Sequence, residues 1–263
     1  MRRGGLSAFE KLRATAGFIG FVRNWGDHYL ATHGRVRPTR LTYRLRNGLE
    51  LEARPRTLDV AVLKDIFFHQ VYTPPGFEIA ADAVVLDVGA HVGAFAASAA
   101  RSAPGVVVYA FEPAPDNFAL LSSNMVRNGL SNVRLAQCAV TGGGGVRQLL
   151  VADSPAECSL HIVKPGAVPL PVPSTTLAEI IETHSIETID LLKMDCEGAE
   201  YEILEAAASQ GALRRVKRVA LEAHVLDASR EPSRLVAFLK AQGFRTRTGF
   251  EGDKTSMIWA LRA

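Results

Sequence analysis

The sequence has few cysteines and no long apolar run, and each shortage excludes a class of protein. Its three cysteines, Cys138, Cys158 and Cys196, are far apart and form no Cys-x-x-Cys pair, so neither a disulfide framework nor a zinc site is indicated. No apolar run reaches the roughly 18 residues that a membrane-spanning helix needs. These absences predict a protein of the reducing cytoplasm with no transmembrane segment.

The composition is that of a folded domain. Of 263 residues, 48% are hydrophobic and 22% are charged, and 22 glycines and 13 prolines are too few for a low-complexity chain. Glu10, Lys11 and Arg13 interrupt the apolar segment that follows the basic opening residues, which disfavours a secretory signal. The length predicts one globular domain with at most a small appendage.

Positive charge is concentrated near the N-terminus. Residues 1–60 carry 12 lysines and arginines against 5 acidic residues, whereas the whole chain has a formal net charge of only +3. One interpretation is a solvated helix face followed by an arginine-rich edge strand. The other is a surface for an anionic membrane, a nucleic acid or an acidic substrate.

The N-terminal segment predicts helices and a hairpin. Loosely helical spacing of apolar residues over 6–30 predicts one or two helices. Alternating residues over 41–46 and 49–53 flank Asn47-Gly48, a pattern typical of a β-hairpin with a type I′ turn. A further helix is predicted over 59–71, before Pro74-Pro75.

From residue 83 onward, short apolar strands alternate with helices, which predicts a doubly wound, mostly parallel sheet with helices on both faces. The segment 141–174 interrupts this rhythm and is predicted to be an insertion that contains an extra strand over 146–151. Two final strands, 244–248 and 256–261, predict a terminal hairpin. The predicted strands are 84–88, 106–111, 133–140, 189–194 and 216–221.

A glycine turn follows the first of these strands. Asp87-Val-Gly89-Ala-His91-Val-Gly93 would leave free backbone N–H groups at a helix N-terminus, where the polar groups of a nucleotide can bind. His91 stands where the Gly-x-Gly-x-x-Gly fingerprint needs its second glycine, which disfavours NAD and FAD. The sequence also has no Gly-x-x-x-x-Gly-Lys-Ser/Thr loop for ATP or GTP.

The second strand ends at an acidic residue, Glu112. A carboxylate at this position can accept hydrogen bonds from both hydroxyls of a ribose. Asn117 is predicted either to orient the ribose loop or to cap a helix. Cys138 and Ala139 are predicted to end the third strand, so that the Ala139 backbone contacts an adenine ring.

Two of these motifs together resemble the S-adenosylmethionine site of the class I methyltransferases, namely Asp87-x-Gly-x-x-x-Gly and Phe111-Glu-Pro. Other segments are similar to the FkbM family of these enzymes and occur in the same order. They are 64–72, 176–177, 189–200 and 221–224. The match runs from about residue 60 to the C-terminus.

The resemblance implies an enzyme that uses S-adenosylmethionine to methylate a hydroxyl group of a sugar, a glycan or a secondary metabolite. It implies a seven-stranded Rossmann-like sheet whose last strand is antiparallel. We predict a methyltransferase domain over 58–263, with residues 1–57 as an appendage of helix and hairpin. Tyr72 is predicted either to close over the cofactor, as the resemblance implies, or to be a packing residue.

Catalytic side chains should lie outside the carboxyl ends of the parallel strands. Asp195, Glu222 and His224 are the candidates there, and Glu222 and His224 share one face of their strand because side chains alternate. We predict His224 as the general base, because an unperturbed imidazole titrates near neutrality. Alternatively, these three residues could bind a divalent cation such as Mg²⁺.

Several questions stay open in the sequence. Glu197 and Glu200 are predicted to complement the dipole at a helix start, and Lys193 is predicted either to reach the cleft or to extend to solvent. A nucleic-acid methyltransferase is disfavoured because no aromatic residue follows the fourth strand to stack a flipped base. A non-catalytic binding module is a further alternative. The acceptor, the oligomeric state and peripheral membrane contact by the basic N-terminus remain open.

Overall fold

The computed structural model describes residues 17–151, 158–162, 166–250, 252 and 254–263. Two compact units meet in the sequence between Gln70 and Val71, which is later than the predicted boundary at residue 57. Within the described residues, no helix is long and apolar enough to span a membrane.

The described part of the first unit is built from helices and a hairpin. Residues 17–21 are helical, and the following elements are α1 (Trp25–His33), β1 (Leu41–Arg44), β2 (Glu50–Ala53), α2 (Asp59–Lys64) and a π-helical turn (Asp65–His69). Of the one or two helices predicted over 6–30, residues 6–16 lie outside the described residues, while residues 17–21 and α1 are helical. The helix predicted over 59–71 is confirmed over 59–69, although its second half has π geometry.

The predicted hairpin forms, but its turn type is wrong. β1 and β2 are antiparallel with Leu41 opposite Ala53. A type I′ turn needs positive φ at both central residues, whereas only Gly48 (φ 89°) has it and Asn47 does not. Three residues, 46–48, close the loop, with the Gly48 amide donating to the Leu45 carbonyl at 3.1 Å. A longer loop allows the commoner type I geometry, with glycine as the left-handed residue.

A buried ion pair joins the hairpin to α2. The Arg54 guanidinium donates to both carboxylate oxygens of Asp59 at 2.8 and 3.0 Å, and the Asp59 side chain is fully buried. A bidentate pair of this kind fixes both position and orientation. This contact is a physical reason why α2 belongs to the first unit.

The described part of the second unit contains ten strands. They are β3 (Val84–Val88), β4 (Val107–Phe111), β5 (Val133–Ala136), β6 (Ala139–Val140), β7 (Gly145–Val151), β8 (Val168–Thr175), β9 (Leu191–Met194), β10 (Arg218–His224), β11 (Phe244–Gly249) and β12 (Thr255–Arg262). Seven of them form one sheet in the order β11-β12-β10-β9-β3-β4-β5. β12 is antiparallel to both of its neighbours and the other pairings are parallel. The predicted fold is confirmed.

Helices connect the strands of this sheet. They are α3 (Ala94–Ala100), α4 (Pro115–Arg127), α5 (Leu177–Thr183), α6 (Glu200–Ser209), a 3₁₀ turn (Ala212–Arg215) and α7 (Pro232–Ala241). Thr176 and Glu179 form a capping box that starts α5. The core lies on the central strands, where Leu86, Leu192 and Leu221 are fully buried. Each such leucine stabilises the fold by about 1.5–3 kcal/mol.

The predicted insertion forms a separate small sheet in the order β6-β8-β7. The extra strand predicted over 146–151 is confirmed as β7. The third strand of the main sheet, however, ends at Ala136 rather than at Ala139, because Ala139 pairs with Ser174 of β8. The predicted position of Ala139 at the end of that strand is therefore wrong.

Candidate active site

The glycine turn after β3 is built from left-handed backbone. Gly89 (φ 74°), His91 (φ 53°) and Gly93 (φ 84°) all have positive φ. A Cβ atom at position 89 would lie 1.8 Å from the carbonyl oxygen of Asp195, closer than any real contact. Only glycine therefore allows the turn to approach the end of β9 so closely.

Glu112 is held at the end of β4 next to this turn. Its Oε2 accepts a hydrogen bond from the His91 amide at 2.8 Å, and its Oε1 accepts from the Ala114 amide at 3.0 Å and from the Asn117 side chain at 3.3 Å. Burial raises the pKa of Glu112, and the nearby His91 partly offsets this rise. Oε1 thus already accepts two hydrogen bonds, whereas Oε2 accepts one and can accept another, as from a ribose hydroxyl.

Asn117 and Ala139 are both buried but occupy different surroundings. Asn117 lies in the first turn of α4, and its side chain donates to Glu112 Oε1 at 3.3 Å; its role at the ribose stays a prediction. Ala139 packs with Leu149 and Val172 in the small core of the insertion. The adenine contact predicted for the Ala139 backbone stays a prediction.

Asp87 and Lys193 form an ion pair inside the sheet. The two residues are partners in the parallel register of β3 and β9, and Lys193 Nζ lies 3.0 Å from Asp87 Oδ1. Asp87 is 0% exposed and Lys193 is 3% exposed, so Lys193 neither extends to solvent nor lies open to the cleft. The cofactor contact predicted for Asp87 stays a prediction.

Lys193 also supports the glycine turn. Its Nζ donates to the carbonyl oxygen of Gly89 at 2.7 Å. Burial alone lowers the pKa of Lys193, but Asp87 and Asp195 more than offset that effect and raise it. The ammonium group is therefore retained inside the protein. Sequence reasoning did not assign this role, although a lysine and an aspartate in two adjacent apolar strands were a usable signal.

Tyr72 and Asp195 meet at the carboxyl end of β9. The Tyr72 hydroxyl donates to Asp195 Oδ2 at 3.0 Å, and its ring packs edge-on against Phe95. Burial raises the pKa of Tyr72 well above its ordinary value, and Asp195 adds to the rise. The phenol thus stays protonated and fixes one oxygen of the Asp195 carboxylate.

Glu222 lies at the carboxyl end of β10, on the adjacent strand. Burial and then the Asp195 carboxylate raise the pKa of Glu222, His224 and a hydrogen bond with Thr255 lower it, and the net value is about 7. A carboxyl group with this pKa can take up a proton near neutrality.

His224 is paired with a buried glutamate. Its Nδ1 lies 3.1 Å from Glu200 Oε1, and its Nε2 lies 3.9 Å from Glu197 Oε2. Burial lowers the pKa of His224, but the hydrogen bond and charge of Glu200, with the Asp195 and Glu197 carboxylates, raise it to about 10. The imidazole is consequently protonated at neutral pH and has no free nitrogen to accept a proton.

Glu200 also organises the loop that follows β9. Its Oε1 accepts hydrogen bonds from the amides of Cys196 at 3.1 Å and Gly198 at 3.3 Å. These contacts support Glu197, whose φ of 52° is left-handed. Ser159 of the insertion donates through its hydroxyl to the Glu197 carbonyl at 2.6 Å. Sequence reasoning missed Ser159 because this contact links residues 38 positions apart.

The predicted metal ligands do not form a metal site. In the part of the chain that the structure describes, no group of three or more His, Cys, Asp or Glu side chains is arranged to hold a metal ion. Asp195, Glu222 and His224 lie in one region, but the described residues there are not arranged as a set of three metal ligands.

Comparison with known proteins identifies the family. Residues 87–246 match the methyltransferase FkbM domain. The 31-O-demethyl-FK506 methyltransferase FkbM of Streptomyces tacrolimicus is 30% identical over 77% of this chain and 88% of its own length. The methyltransferase sdnD of Sordaria araneosa is 28% identical over 74% of this chain and 88% of its own length.

Solved structures also match. An rRNA methylase from Streptococcus thermophilus superimposes with a TM-score of 0.46 at 14% identity, over 74% of this chain and 94% of its own. The assignment itself comes from the sequence relatives and from the domain match, which extends from the glycine turn into β11. On that evidence the chain belongs to the FkbM family and is an S-adenosylmethionine-dependent methyltransferase.

Proposed function

We propose that this protein methylates a hydroxyl group of a small-molecule or glycan acceptor, such as a sugar or a secondary metabolite. The observation that carries the proposal is the carboxyl group of Glu222, whose pKa is raised to about 7 at the carboxyl end of β10. An alcohol is a poor nucleophile until a base takes its proton. The raised pKa gives Glu222 the basicity for that step.

Residues that follow β3 and β4 suit the cofactor. We assign the backbone of the turn from Gly89 to Gly93 and the Glu112 carboxylate to S-adenosylmethionine, with Glu112 on the ribose. Asn117 acts by orienting Glu112. When bound, the cofactor supplies a methyl group that its positive sulfur has already activated. The chain then has to align an acceptor oxygen with that methyl group and accept one proton.

Three side chains would do this work. Glu222 would accept the proton of the acceptor hydroxyl and keep it, while the bound cofactor would give up its methyl group and leave as S-adenosylhomocysteine. Asp195, with one oxygen held by Tyr72, orients the acceptor through its other oxygen. His224 acts as a fixed positive charge that favours the ionised form of Glu222. This assignment replaces the predicted role of His224 as general base.

Two further observations favour an alcohol acceptor over nucleic acid. The Streptomyces relative is named for 31-O-demethyl-FK506, an acceptor designated by its oxygen. In this chain, Asp195, Glu197 and Glu222 place three carboxyl groups at the ends of β9 and β10. Negative charge there repels a phosphate backbone, whose binding normally depends on Lys and Arg.

The test separates binding from turnover. Calorimetry with S-adenosylmethionine and with S-adenosylhomocysteine should show that wild type and Glu222→Gln both bind. Glu112→Ala should lose at least about tenfold in affinity, since charge-assisted hydrogen bonds are worth about 1.5–3 kcal/mol. Methyl incorporation into a panel of neutral oligosaccharides and macrolides should fall at least about a hundredfold in Glu222→Gln. The exposed Glu205→Gln is the matched control.

Two outcomes would contradict the proposal. If Glu222→Gln kept the turnover of wild type, Glu222 would not be the base. If only RNA or DNA acquired the methyl group, the acceptor would not be a small molecule or glycan.

A further inference from the structure

Helix α1 of the first unit exposes apolar side chains along one arc. Trp25 is 44% exposed, Tyr29 is 58% exposed and Leu30 is 63% exposed. At about 100° per residue these three positions span roughly 140° of the helix circumference. Val36, in the segment after the helix, is 81% exposed.

The opposite side of α1 packs inside the unit and is the more polar side. Ala31 is buried there. The His28 ring lies 4.8 Å from the Phe18 ring, and its Nδ1 is 2.9 Å from the Tyr43 hydroxyl. A surface helix normally buries its apolar side and exposes its polar side. Since α1 does the reverse, its exposed arc needs another apolar environment.

Exposed arginines flank α1 in the sequence. Arg23 precedes α1, and Arg35 and Arg37 follow it; neither Arg35 nor Arg37 forms an ion pair with a described residue. Among residues 17–59, eight arginines face four acidic residues. Three of those acids are already paired, Glu52 with Arg40, Glu50 with Arg44 and Asp59 with Arg54, which leaves more arginines than acids. The positive charge is therefore available to an outside partner.

We propose that this surface, composed of Trp25, Tyr29, Leu30 and Val36 with Arg23, Arg35 and Arg37, binds the face of a bilayer that contains anionic phospholipid. Tryptophan and tyrosine are enriched at the level of the lipid headgroups, where one end of the ring is apolar and the other is hydrated. Arginines beside them attract a negative membrane surface. A short helix with this composition lies on the bilayer rather than crossing it.

A second copy of the chain fits the same surface less well. A stable protein interface buries about 800 Å² on each partner, more than the side chains of one arc on a nine-residue helix provide. Two copies would also bring their unpaired arginines together, which is repulsive. Charge and area thus both favour lipid.

Sedimentation with vesicles tests the proposal on the full chain. Wild type should bind vesicles of phosphatidylcholine with one quarter phosphatidylglycerol, and bind phosphatidylcholine alone at least about tenfold more weakly. The variants Trp25→Ala/Tyr29→Ala/Leu30→Ser and Arg35→Gln/Arg37→Gln should each lose at least about tenfold in affinity for the anionic vesicles. The emission of Trp25 should shift to the blue on binding, because the other tryptophan, Trp259, is buried.

Controls distinguish specific docking from general attraction. Arg101→Gln/Arg245→Gln removes the same charge from exposed positions in the second unit, and Val126→Ser removes an exposed apolar side chain from α4. Both should bind like wild type, and all variants should keep the cofactor affinity. The proposal is overturned if wild type ignores anionic vesicles or if the controls lose as much binding as the test variants. It is also overturned if light scattering shows a dimer that the arc variant dissociates.

Discussion

Replacing Lys193 by methionine should destabilise the protein far more than the loss of one surface charge. Lys193 is the ion-pair partner of Asp87, which is 0% exposed. Methionine fills a similar volume but leaves the Asp87 carboxyl group, whose pKa burial already raises, without its positive partner and out of contact with water. Removing one member of a buried ion pair costs about 3–5 kcal/mol. We expect that loss in the free energy of unfolding of Lys193→Met.

Urea denaturation of four proteins measures this effect. They are wild type, Lys193→Met, Asp87→Asn and the double variant. The double variant should recover about half of the loss of Lys193→Met, because the neutral amide that replaces the Asp87 carboxylate leaves no charge without a partner. Lys217→Met is the matched control, since Lys217 pairs with Asp190 at 2.8 Å but is largely exposed. Exposed pairs are worth about 0–1 kcal/mol.

Cofactor affinity gives a second, independent measurement. In Asp87→Asn the lysine can still donate to the Gly89 carbonyl, whereas in Lys193→Met that hydrogen bond is lost. Affinity for S-adenosylhomocysteine should therefore fall more in Lys193→Met than in Asp87→Asn. The reasoning is refuted if Lys193→Met is no less stable than Lys217→Met, because Asp87 would then not depend on its partner.

Other substitutions test the turn and the carboxyl cluster. Gly89→Ala should lower stability and cofactor binding because its Cβ would overlap the Asp195 carbonyl, whereas Gly76→Ala, with positive φ but open space, should cost only about 1–2 kcal/mol in urea unfolding. If Glu222 is the base, kcat/KM should rise with pH through about 7 and level off, and His224→Gln should move that midpoint upward by removing a positive neighbour. His224 has a pKa raised from 6.5 to about 10, so its stabilisation is complete below 6.5 and lost as the pH rises through about 10. Urea unfolding of wild type and His224→Gln should therefore converge at high pH, and a constant difference would contradict the pairing. Turnover should survive a chelator, because no group of three or more His, Cys, Asp or Glu side chains among the described residues is arranged to hold a metal ion; loss of activity that Mg²⁺ restores would contradict this.

Features that depend on neighbours in sequence were predictable. The apolar strands, the glycine turn from Gly89 to Gly93 and the position of Glu112 follow from local pattern and from the rule that parallel strands present their carboxyl ends together. The structure places Glu112 on the His91 amide, beside the turn. Local pattern also gave the extra strand of the insertion.

Features that depend on distant partners were not predictable. Residues 133–140 read as one continuous strand, but Ala139 leaves the main sheet because Ser174 is its partner. The hairpin turn depends on register, and only pairing shows that three residues close it. Spacing in the sequence places His224 on the same face as Glu222. The residue that keeps His224 protonated, however, is Glu200, 24 residues earlier. A pKa follows from burial and charge in three dimensions.

The charges of the proposed site determine whether a neutral or a charged acceptor can bind there. Asp195 accepts a hydrogen bond from Tyr72, Glu222 must become ionised to act as a base, and the positive charge of His224 is already paired with Glu200. The carboxyl ends of β9 and β10 therefore carry an excess of negative charge when Glu222 is ionised and can act as a base. A phosphorylated acceptor would raise the pKa of Glu222 and be repelled, whereas a neutral polyol can donate its hydroxyl hydrogens to both carboxylates. The same electrostatics that make Glu222 basic thus favour uncharged alcohols as acceptors.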